Sequence, residues 1–152
     1  MAEFVYNEVQ LVQPGSPALL DDAIACNRGL VMHRPGSGIL MLRGVVNNPC
    51  ERFARYRVSF DGNIAVPEGA AVGEIQLALA INGEVIPTSI AAATPTVVDA
   101  YFNVSGFAII DIPVGCCLNV AVENATVPAD ATTPAIALNL RNLNVEVSRM
   151  AL

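Results

Sequence analysis

Lysine and tryptophan are both missing from this 152-residue chain, and histidine occurs once, as His33. With one histidine and no C-x-x-C spacing among Cys26, Cys50, Cys116 and Cys117, a zinc site has too few ligands. Basic residues are scarce as well: eight arginines face fourteen acids, for a net charge of −6. A nucleic-acid partner would demand a basic face, and none is available. No apolar run approaches the ~20 residues of a membrane-spanning helix. The most apolar one, "AAVGEIQLALAING", is broken by Glu74 and by the Asn82-Gly83 turn. The start, "MAEFVYNEVQ", has neither a basic n-region nor an apolar h-region. A Sec-type leader is therefore not expected.

What is present is apolar. Hydrophobic residues make up 53% of the chain and charged ones 14%, where an average soluble domain carries roughly 25% charged residues. A folded monomer of this size would expose on the order of 7,000 Å², which so few charges cover thinly. Burial of part of that surface against further copies resolves the mismatch, so a homo-oligomer is expected. Arginine as the sole basic residue suits planar, half-buried ion pairs at an interface. The cysteines read as reduced, buried small hydrophobes; adjacent cysteines bond to each other only with strain. A Cys26–Cys50 bridge stays open.

Ten prolines and eleven glycines punctuate short apolar runs every 8–15 residues, and no helix-period segment stands out. This is the pattern of an all-β sandwich or barrel. The expected strands are 4–12, 17–24, 38–46, 54–66, 74–81, 84–91, 97–112, 116–124 and 136–149. The whole chain, 1–152, reads as one domain. Asn82-Gly83 predicts a two-residue type I′ hairpin, and "TVPADATTP" (126–134) a loop.

Period-2 alternation separates the two faces of each strand. In "VVDAYFNVSGFAIIDI" the expected core face is Val98, Ala100, Phe102, Val104, Ala108, Ile110 and Ile112. The opposite face carries Tyr101, Phe107 and Ile109, a candidate subunit contact. In "CCLNVAVEN" the expected core face is Cys116, Leu118, Val120 and Val122. Cys117 then points outward, joining the candidate interface, and the thiol pair cannot share a ligand. In "CERFARYR", Arg55 and Arg57 oppose Tyr56, Val58 and Phe60. They are a solvated face or a polar interface to acidic groups on a neighbouring subunit or particle. The last run changes phase between Leu140 and Leu143, which predicts a bulge near Arg141-Asn142.

Together "YRVSFDGNIAV", "GEIQLALAINGEVIP", "VSGFAIIDIPVGCCLNVAVEN" and "AIALNLRNLNVEV" resemble the tumour-necrosis-factor/complement-like jelly roll. The likeness is to its bacterial and phage form, above all the C-terminal domain of collagen-like spore-surface glycoproteins. It covers residues 38–149, leaving 1–37 as N-terminal strands and loops. The chain departs from those proteins in having no G-X-Y stalk. It also places Cys116 where an acidic residue often follows the glycine. The resemblance implies a jelly-roll β-sandwich of about 8–10 antiparallel strands and a stable homotrimer without catalysis or cofactor.

Other constellations are weaker. A cupin-type enzyme would need two or three histidines and a glutamate for its metal. "PGSG" (35–38) is a turn rather than a nucleophile elbow. Asp21-Asp22 and Asp61 do not form an Asp-rich calcium loop. "NVS" (103–105) and "NAT" (124–126) match glycosylation sequons. The expected function is thus a non-enzymatic structural protein: a trimeric jelly roll on a larger particle, first a phage virion, otherwise a spore coat. It would assemble in the cytoplasm with capsid or other particle proteins as partners. A carbohydrate- or receptor-binding module is the alternative, though sugar sites favour exposed aromatics, which are few here.

Overall fold

The computed structural model describes residues 1–23 and 30–151, and Cys26 lies outside them. The described residues form two antiparallel sheets and no α-helix. The strands are β1 (Ala2–Tyr6), β2 (Gln10–Val12), β3 (Asp22–Ala23), β4 (Val31–His33), β5 (Leu40–Arg43) and β6 (Phe53–Ala65). After them come β7 (Ile75–Ile81), β8 (Glu84–Val85), β9 (Ala91–Ala93), β10 (Phe102–Pro113), β11 (Cys117–Asn124) and β12 (Leu138–Met150). A 3-10 turn, Pro87–Ser89, separates β8 from β9. The first sheet runs β10-β6-β12-β1-β3, with β2 also on β12. The second runs β4-β5-β11-β7-β8, with β9 also on β7.

Alternation explains how the sheets close on each other. β6 buries Ala54, Tyr56, Val58 and Phe60 on one face, while Arg55, Arg57 and Asp61 point away. β12 does the same with Leu138 and Leu140, then with Leu143, Val145 and Val147. Its phase change is a bulge: pairing steps from Arg141↔Asn63 to Asn144↔Asp61, three residues against two. Asn142 absorbs the extra residue at φ 53°, a left-handed angle that asparagine tolerates. The second sheet answers with Leu40, Leu42, Ile75, Leu77, Leu79, Val120 and Val122, and all of these side chains meet in one apolar core. Asn82 and Gly83 take positive φ (50° and 86°) between Ile81 and its partner Glu84, as a type I′ turn requires.

Several expectations need correction. The long 97–112 run begins as a strand only at Phe102. Asp99 sits at φ 56° and donates its N–H to Val66 O, which breaks the period-2 phase upstream. Val98 is therefore exposed rather than core; Phe102 keeps the parity of Val104 but is the first residue of β10 and is exposed as well. The 84–91 run is not one strand, because Pro87 starts a 3-10 turn. Val31–His33 forms a strand where none was expected. Cys50, Cys116 and Cys117 are free and exposed, not buried. For Cys116 the reason is local: its N–H donates to Pro113 O, so it closes a turn instead of occupying a core position on β11.

Two residues fasten loops and turns to the sheets. The Asn124 side chain is buried; its Nδ2 donates to Val12 O and Ile136 O, and its Oδ1 accepts from the Thr126 N–H. One amide thus fastens β11 to the N-terminal segment and to the 126–136 loop. Gly106 on β10 lies against the 3-10 turn, where an added Cβ would meet Ser89 O at 2.5 Å and Phe60 Cε1 at 2.8 Å. Ser89 is held in place because its Oγ accepts from Leu79 N–H and donates to Ile86 O.

Asn124→Ala should lower the unfolding free energy by about 2–4 kcal/mol, because three buried backbone groups lose their partner; urea unfolding measures it. Gly106→Ala should cost about 1–3 kcal/mol through overpacking, whereas Gly73→Ala, where the added carbon meets nothing within 4 Å, should change stability by less than about 0.5 kcal/mol.

Candidate functional site

The outer face of the first sheet is a long, regular surface. It is built from β6, β10 and β12, each 12–13 residues long. The register places its side chains in rows across the strands. Asp111, Arg55 and Met150 form one row, and Ile109, Arg57 and Ser148 the next. Phe107, Ser59, Glu146 and Glu3 follow, and then Ser105, Asp61, Asn144 and Val5.

Phe107 and Ile109 stand side by side on β10 and are 53% and 54% exposed. An exposed pair of large apolar side chains on an edge strand is an adhesive feature. The Arg57 guanidinium lies over the Phe107 ring, 4.9 Å from its centre, so the aromatic is covered on one side by a cation and open on the other. Next to them a shallow depression of about 470 Å³ is lined by Arg57, Ser59, Asp61, Gly106, Phe107 and Glu146. Ser59, short between Arg57 and Asp61 along β6 and between Phe107 and Glu146 across the sheet, leaves that space.

The other sequence candidates separate. Tyr101 precedes β10 and is only half-exposed, with Arg141 Cζ stacked 3.8 Å from its ring centre. Arg141 is in the row Asn103, Asn63, Arg141 of that same outer face, so Tyr101 stands at its far end, beyond Ser105 and away from the Phe107–Ile109 pair. Cys117 lies on β11, in the other sheet, opposite Arg43. Arg55 is committed within its own chain: Nε and Nη2 grip the two Asp111 carboxylate oxygens at 2.7 and 2.9 Å. Hydrogen bonding from Arg55 holds the Asp111 carboxyl below its ordinary range. Among the described residues Arg57 has no such carboxylate partner, so of the two candidate polar residues it is the one more free to reach another molecule. Of the sequons, Asn103 is exposed and donates to Asp61 and Asn63, while Asn124 is the buried latch described above.

One residue escaped the sequence reading altogether. Glu123, on the outer face of β11, is 6% exposed. Burial raises its carboxyl above the ordinary glutamate range. Its cross-strand neighbours are Ala78 and Pro17, and it faces a cavity of about 330 Å³. The sequence signal was the alternation itself, which set Glu123 outward; that small neighbours would let the chain close around it was not visible.

No protein-family model matches the chain, and no curated protein does. Among solved structures it is similar to the globular domain of zebrafish complement 1qA protein. The TM-score is 0.54 at 15% identity, over 95% of this chain and 94% of that one. At that identity the likeness speaks for the fold alone, which is a C1q- and TNF-like jelly-roll β-sandwich.

Proposed function

We propose that the chain is a non-catalytic assembly module that forms a homotrimer through the outer face of its first sheet. In the finer reading, the trimer decorates or builds a larger particle, a phage virion before a spore coat. The observation that carries this reading is the exposed Phe107–Ile109 pair on a long, regular sheet. Completing the burial of each side chain would contribute roughly 1–2 kcal/mol per copy. Arg57 beside them, together with Glu146 and Asp61, supplies a polar rim of both signs, as interfaces commonly have. The charge-poor composition and the complement-like fold support the same reading. The free, exposed thiols of Cys50, Cys116 and Cys117 among the described residues suit assembly in a reducing compartment, where such cysteines persist unpaired.

Light scattering coupled to gel filtration should return three times the 15.9 kDa chain mass. Phe107→Glu and Ile109→Glu should shift the species to the single-chain mass while keeping the β-sheet circular dichroism. Met32→Glu, exposed on the other sheet, should leave the trimer intact. A single-chain mass for the unaltered protein at micromolar concentration would refute the trimer. An unaltered mass in both β10 variants would move the contact elsewhere.

A further inference from the structure

The cavity at Glu123 lies on the outer face of the second sheet, away from the surface proposed for assembly. Its floor is Ala80 and Ala121, and its far rim is Asn82, Gly83 and Asn119. Pro17 and Ile39 form the side wall. The rim is fixed by two hydrogen bonds. Asn82 N–H donates to Asn119 O at 2.8 Å, and Asn119 N–H donates to Asn82 Oδ1 at 3.1 Å. The groove is preformed because its floor is alanine, so no side chain fills the space between the hairpin tip and Glu123. From Asn119 to Glu123 is four residues of strand, roughly 13 Å.

Glu123 is 6% exposed as a residue. No buried side-chain oxygen among the described residues lacks a hydrogen-bond partner, so its carboxylate, which has none there, opens to the cavity rather than being sealed in the protein. A carboxylate that is partly stripped of water and has no counter-charge beside it gains from a cation placed in the cavity. Among the described residues no other ionisable group lines the cavity. The net charge of −6 adds a long-range attraction for cations.

We propose that this groove binds an alkylguanidinium or alkylammonium group, the cation against Glu123, the aliphatic stem over Ala80 and Ala121, and a polar end at Asn82 and Asn119. Those dimensions and polarities fit an arginine or lysine side chain with its backbone amide. The chain has no lysine, so an ammonium must come from another molecule, whereas a guanidinium can also come from a neighbouring copy.

The test is amide NMR of the ¹⁵N-labelled protein titrated with acetyl-arginine amide, acetyl-lysine amide and, as the neutral isostere, acetyl-citrulline amide. Saturable shifts at Asn82, Gly83, Asn119 and Glu123 are expected with the two cations, with a Kd of about 1 mM or below, and none with citrulline. Glu123→Gln should weaken binding at least tenfold. It should fold, because it removes a partly desolvated charge and keeps the side-chain shape. Relative to that variant, the unaltered protein should lose stability as pH rises from the ordinary glutamate pKa through the raised one, since its folded state holds the proton longer. Ala121→Met, which fills the groove and keeps the carboxylate, should abolish binding. Equal binding of citrulline, equal binding by Glu123→Gln, or shifts spread over the whole acidic surface would overturn the site. A fall in molecular mass at saturating acetyl-arginine amide would confirm the chemistry and identify the natural occupant as an arginine of a neighbouring copy.

Discussion

The ladder between β6 and β10 is the constraint on which the rest of the molecule depends. From Phe102↔Ile64 to Pro113↔Phe53 every residue of β10 has a partner, with no bulge to re-aim a side chain. An unbroken antiparallel register leaves no freedom about facing: once Tyr56, Val58 and Phe60 are drawn into the core, Arg55, Arg57 and Ser59 must point out. The same register commits Phe107 and Ile109 to the outside, however unfavourable that is for a lone chain. A one-residue slip would bury them, but it would expose Ala108, Ile110 and Ile112 in exchange. The exposed pair is thus retained because the core requires its neighbours, and its own apolar surface is left for another molecule to cover.

β12 shows how the sheet tolerates one departure from that rule. Its bulge at Asn142 swaps which parity faces inward, so Leu138 and Leu140 at one end and Leu143, Val145 and Val147 at the other all reach the core. Without the extra residue, half of this strand would present leucine and valine to the surface. The left-handed angle at Asn142 is a small local strain, set against the burial of several large side chains at about 1.5–3 kcal/mol each.

Features governed by near neighbours were legible in the sequence. The Asn82-Gly83 turn, the alternation of β6 and the phase change of β12 each follow from a few consecutive residues. What escaped depends on partners far along the chain. Cys116 fits the strand pattern, yet the Pro113–Cys116 turn overrides it. Val98 carries the right parity, but Asp99 breaks the phase to reach Val66; Phe102 keeps the phase, yet stands at the open end of its strand. Asn124 reads as a glycosylation sequon. Its role as a latch needs Val12 and Ile136, 112 and 12 residues away. Glu123 could not be recognised as buried without knowing that Ala78 and Pro17 flank it.

The two outer faces divide the chemistry by side-chain size. Assembly is driven by apolar area removed from water, so a face must carry large side chains to contribute much. Phe107 and Ile109 do; Ala78, Ala80 and Ala121 on the other sheet add little area each. Small residues have the opposite virtue. They leave a concavity with a rigid floor, and a single polar group at its end gains strength from the low dielectric around it. A cation held there would experience Glu123 far more strongly than any of the solvated acids that make up the rest of the net charge. On the proposed assignment the two sites would not compete, since assembly through the β10–β6–β12 face does not use the β11–β7 face.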